Sequence, residues 1–207
     1  MTGFTNTFFY ELTTLFVVLN PFVAIPLYLA LTHGLERKRQ LAVAAYAVGI
    51  AFLVLLVFIA LGQHLLEALR IPMPAFQLGG ALVLLLFAFR MVTGQVAAAA
   101  ATLPPETTSF ERSVSLAVPQ IAGAGSMLTV VLLTDNHTRS LAEQVTTTGT
   151  LAVCLAVYFV VLALASFILK VIGRAGVEVI TRVFGLILAS VAVNSLIVAI
   201  KLSFGLA

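Results

Sequence analysis

Tryptophan is absent from this chain of 207 residues, cysteine occurs once, and only 9% of the residues are charged, against 61% that are hydrophobic. About a quarter of a soluble globular domain is charged. A domain of this length has too little interior to hide so much apolar surface, and mean hydropathy reaches +1.16. The scarcity of charge therefore makes lipid the main solvent. The single cysteine, Cys154, excludes an intramolecular disulfide, and its apolar run makes it a small packed hydrophobe. His33, His64 and His137 are too scattered for a metal site, and no Walker A, dinucleotide or HExxH pattern is present. No cofactor, metal, nucleic acid or enzymatic reaction is expected.

Charge-free intervals run from Leu12 to Leu35, Gln40 to Leu66, Ile71 to Phe89, Ser113 to Thr134, Gln144 to Leu169 and Val183 to Ile200. Each is 18 to 27 residues long, and about 20 apolar residues cross a bilayer as a helix. The expectation is an all-α protein of six transmembrane helices. Period-2 alternation is not evident, which argues against a β-barrel. Residues 1–9 contain no Lys or Arg, so a cleavable signal is not expected and the first helix stays.

Basic residues orient the spans, because cytoplasmic loops collect them. Arg37, Lys38, Arg39, Arg90, Arg112, Lys170, Arg174 and Arg182 flank loops 1, 3 and 5. Only Arg70, Arg139 and Lys201 fall on the other side. Loops 1, 3 and 5 are thus expected in the cytoplasm and both termini outside.

Residues 95–112, QVAAAAATLPPETTSFER, read as a flexible cytoplasmic linker between halves 1–94 and 113–207. The halves resemble each other: Pro21 aligns with Pro119, Gly49 with Gly149, and Gly80 with Gly185. A repeat of three helices inverts on repetition, as in many secondary transporters, where interrupted helices mark the substrate site.

Two interruptions stand at matching places. LNPFVAIP carries Asn20, Pro21 and Pro26; LAVPQIAGAG carries Pro119, Gln120, Gly123 and Gly125, followed by Ser126. Breaks free backbone groups, which cost several kcal/mol each in lipid and so face protein or a cavity. The half-helices after Pro26 and after Gly125 are expected to aim their positive ends at an anion or a zwitterion's carboxylate. Asn20, Gln120 and Ser126 supply side-chain hydrogen bonds. Glu11 is either a proton-coupling carboxylate or, as the simpler reading, an interfacial residue at the helix start. Gln77 and Arg182, at equivalent repeat positions, are read as gating or interfacial groups, and Asn194 as an interhelical hydrogen bond. The Gly79–Gly80 pair is expected to let its helix pack closely.

LNPFVAIP, AFQLGGALVLLLFAFRM, LAVPQIAGAG and GVEVITRVFGLIL together resemble the MarC family of bacterial inner-membrane proteins, over roughly residues 8–202. The resemblance implies six helices and transport of small neutral amino acids. The family also looks distantly related to LysE-type exporters. The chain departs from the usual pattern at Val23 and Ala124, where the family commonly has Gly and Pro, and at Gln77, where Arg is common. The reading is a secondary transporter of small solutes working by alternating access, with a proton or sodium gradient as candidate driving force. The alternative is a non-transporting scaffold or regulatory subunit. Self-association stays open.

Overall fold

The computed structural model describes residues 2–95, 107–134 and 141–205. Most of the expected linker (96–106), together with His137 and Arg139, lies outside them. Every regular element among the described residues is helical. In order these are α1 (Thr2–Leu19), α2 (Pro21–Leu31), α3 (Arg37–Ala68), α4 (Met73–Val92), α5 (Ser109–Leu116), a π-helical turn (Ala117–Ile121), α6 (Ala124–Leu133), α7 (Leu141–Ala163) and α8 (Ala165–Phe204).

Five stretches are long and apolar enough to cross a membrane: 8–31, 37–68, 73–92, 144–163 and 175–204. The fourth of the six expected spans, 113–134, is interrupted, as its proline and glycines predict. It is split into α5, the π turn and α6, each too short to cross alone at about 1.5 Å per residue. Charge-counting misses this, because a break changes backbone geometry without adding charge. The expected loop 5 is short: Lys170 precedes, and Arg174 and Arg182 follow, a break within α8 that separates two helical stretches. The break is at Gly173, with φ 74° and ψ 171°, a conformation that suits glycine. The linker's last residues likewise join a helix. Thr108 caps α5 through a reciprocal box with Glu111, and the backbone N–H of Thr108 holds the Glu111 carboxylate below its usual range.

The broken elements are the centre of the molecule. The most apolar window of 8–31 is 61% buried, against 22% for that of 175–204, so α8 faces lipid and the α1–α2 line does not. α1 packs on α6 and α7, and α2 on α5, α7 and α8. α3 covers α5, the π turn, α6 and α7, while α4 lies along α8 and touches α6. Because α1 meets α6 and α2 meets α5, the two broken lines run antiparallel and their breaks lie side by side.

Glycines set the closest approaches, as in lipid-embedded bundles generally. A Cβ on Gly80 would fall 2.8 Å from a Leu128 methyl, whereas Gly79 has open space. Only one of that expected pair brings α4 onto α6. The matched landmarks Gly49 and Gly149 also face open space.

Candidate functional site: two helix breaks beneath a neutral groove

Asn20 adopts the left-handed conformation, φ 41° and ψ 78°, and so ends α1. An amide side chain tolerates that region better than most. Pro21 then starts α2 at its first position, where a missing N–H costs little. The first break is thus at Asn20 and Pro21. Pro26 is inside α2 and does not begin a half-helix, contrary to the expectation from sequence. Both prolines still withhold a donor: Pro21 gives nothing to the Val17 carbonyl, nor Pro26 to that of Phe22.

Pro119 and Gln120 fall within the π turn, whose wider winding accommodates a residue that cannot donate. Ala122 N–H closes the turn on Ala117 O at 2.7 Å. Gly123 is the N-cap of α6 and carries no side-chain cap. The helix therefore begins at Ala124, one residue before Gly125 and not after it. Its first internal bond comes from Met127 N–H to Gly123 O, which leaves the amides of residues 124–126 without intrahelical acceptors. Ser126 hydroxyl turns back across the break to Ile121 O at 2.7 Å.

α6's bare start meets α1's end: a Cβ on Gly125 would lie 3.6 Å from a Val18 methyl and 2.2 Å from a Leu84 methyl. The positive end of one helix dipole thus approaches the negative end of another. Beside them Asn20 is 1% exposed, and among the described residues neither its Oδ1 nor its Nδ2 has a hydrogen-bond partner. The Tyr158 hydroxyl on α7 is the other such buried group among the described residues. Buried polar groups without partners are rare, since each carries its full desolvation cost. Gln120 is buried and donates no side-chain bond to the described residues.

Above the breaks lies a groove of about 720 Å³ between α1, α4, α6 and α8. Its deepest wall is Val18, Leu84 and Leu128, all under 7% exposed. Tyr10, Thr13, Thr14, Gln77, Thr129, Ser190, Asn194 and Ser195 supply its polar surface, and none of the described lining residues is charged. Gln77 and Asn194 therefore share one cavity. Asn194 makes no interhelical bond to the described residues, which corrects that expectation. Arg182 is elsewhere, exposed and paired with Glu178 one turn away, near Gly94 at the end of α4. The hydroxyl residues had a sequence signal. Ile187, Ser190, Val191, Asn194, Ser195 and Val198 recur at helical spacing, as do Tyr10, Thr13, Thr14 and Val17.

Glu11 does not mark a helix start. It lies within α1, 1% exposed, and accepts a hydrogen bond from Thr147 of α7 at 3.0 Å. Thr147→Val removes one donor to a buried carboxylate and is expected to cost about 1–3 kcal/mol. Thermal unfolding in detergent checks this; an unchanged midpoint contradicts it. Cys154 is buried on the same seam, its Sγ 3.6 Å from Leu12 O.

Apolar helices of this length, wrapped round two discontinuous ones, define a polytopic α-helical integral membrane protein. The chain matches the family described as MarC family integral membrane protein over residues 5–204, and it belongs to that family. Similar proteins include a UPF0056 membrane protein of Aquifex aeolicus, 29% identical over 91% of this chain and 89% of its own length. One from Methanocaldococcus jannaschii is 29% identical over 94% and 96%. The UPF0056 inner membrane protein YhgN of Escherichia coli K12 is 28% identical over 91% and 93%. No solved structure matches the chain.

Proposed function

We propose that the protein is a secondary transporter that moves small neutral solutes, amino acids foremost, across the bacterial inner membrane by alternating access. The observation that carries this reading is the Asn20 carboxamide, buried without a protein partner at the crossing of two broken helices. Nothing structural is gained by burying an amide in that way, whereas a polar ligand would satisfy it. The uncapped start of α6 suits a carboxylate, and the carbonyls ending α1, Val17 foremost, suit an ammonium. The uncharged groove fits a solute without net charge.

Packing supports two inverted repeats of three helices. Exchange α1–α2 with α5–α6, α3 with α7, and α4 with α8. The pair α3·α5 becomes α7·α1, α3·α6 becomes α7·α2, α4·α6 becomes α8·α2, and α1·α6 becomes α5·α2; all these pairs are in contact. The pairs α3·α7 and α4·α8 map onto themselves. With loops 1, 3 and 5 cytoplasmic and the termini outside, the groove opens outward. A proton or sodium gradient supplies the work.

The test is flux in proteoliposomes. Labelled neutral amino acids should move faster than in empty vesicles under a proton or sodium gradient. If none of a broad panel moves under either gradient, the transport reading fails and a scaffold or regulatory subunit replaces it.

A further inference from the structure

Side-chain bonds from α2, α3 and α5 to other segments gather at one end of the molecule, whereas Thr147–Glu11 and Cys154–Leu12 tie α7 to α1 nearer the other. The Arg112 guanidinium donates to Leu31 O, the last carbonyl of α2. The Arg37 guanidinium donates to Ala163 O, the last carbonyl of α7. Around them Tyr28 donates to Gln40 O at 3.0 Å, Gln40 donates to Thr32 O and Leu35 O at 3.3 and 3.1 Å, and Ser113 donates to Val43 O at 3.2 Å. Along the first broken line the groove takes residues 10–18, the break residue 20, and this clasp residues 28–32. Along the second, the clasp takes residues 112–113, the break 117–123, and the groove 128–133. Groove and clasp are therefore at opposite ends of both lines, with the breaks between them.

We propose that Arg37 and Arg112 are the latch that seals the end opposite the groove, and that its release lets the breaks open to that side while the groove closes. The proposal rests on the alternating-access reading. Each arginine grips a helix C-terminus, where bare carbonyls and the negative dipole end favour a cation. Each bond crosses between elements that a rocking motion separates: α5 from α2, and α3 from α7. Arg37 is exposed and Arg112 half-buried, so water competes for both. Such contacts are strong enough to bias two states and weak enough to break in each cycle. No groove residue makes an equivalent bond to a neighbouring element among the described residues.

Two reporters test the latch in the full chain reconstituted in vesicles. Cys154 is first replaced by Ala. Thr14→Cys then reports on the groove, and Thr32→Cys, fully buried beside the clasp, reports on the opposite end. Both are labelled with a membrane-impermeant maleimide from either side. Arg37→Gln with Arg112→Gln should slow labelling at position 14 about tenfold and speed it at position 32 about tenfold. Lys at both positions, which keeps the cation, should restore most of the original pattern. Rates within twofold of the parent at both reporters overturn the proposal. So does faster labelling at both together, which means loosening and not exchange. If the double variant does not purify as a single species, each single Gln variant is held to the same opposed shifts. Labelling needs no solute, so the latch can stand where flux fails, or fail where flux is found.

Discussion

Gly185→Val is expected to destabilise the protein by about 3 kcal/mol, because α4 and α8 meet there backbone to backbone. An added Cβ would lie 2.8 Å from Met91 Cβ and 3.2 Å from the Val92 backbone nitrogen. Neither is the loose end of a side chain that could swing away, so the helices themselves must separate. Met91, Ala88, Leu188 and Ala192 belong to one buried cluster along that contact and would be opened with it. Gly149→Ala is the control. That position has nothing within 4 Å, and alanine there should be neutral or gain up to about 1 kcal/mol of helix propensity. Thermal unfolding of both variants in the same detergent decides the matter. Equal midpoints would mean that the α4–α8 approach is not limited by the glycine.

Asn20→Gly is expected to lower solute flux by roughly 10- to 100-fold while leaving stability within about 1 kcal/mol of the parent. Glycine keeps the backbone at φ 41° without strain. The substitution removes two buried polar atoms that no protein group satisfies, so folding loses no hydrogen bond. A solute that relies on the amide loses one or two. The comparison separates holding a ligand from bracing a bend. Normal flux removes Asn20 from the site. Flux and stability falling together make it a brace.

The sequence was informative where the physics is local. Two prolines with an asparagine in an apolar run announce a break, and Pro119 with two glycines announces another. Their exact starting points were not legible: Pro26 and Gly125 both fit inside a helix once α2 and α6 begin at Pro21 and Ala124. A proline tells which donor is missing but not which residue leaves the helical conformation. Glu11 looked interfacial because it is acidic and near the first span's beginning. The structure buries it, since Thr147, far along the chain, comes to lie beside it. Gln77 and Asn194 looked unrelated for the same reason.

Composition and hydropathy by themselves determined the solvent and the helical class, and prolines and glycines inside the apolar runs marked the two discontinuities, because the cost of bare backbone in lipid acts on each segment separately. The matched halves pointed to paired breaks. Only the tertiary structure decided what the breaks face. It set α6's uncapped start against the end of α1, left the Asn20 amide without a partner among the described residues, and gathered hydroxyls from α1, α6 and α8 into one groove with the Gln77 amide of α4. It also put Arg37 and Arg112 on carbonyls of other elements, at the end away from that groove. Those relations depend on helix crossings between residues about a hundred positions apart, and such distances leave no trace in local periodicity.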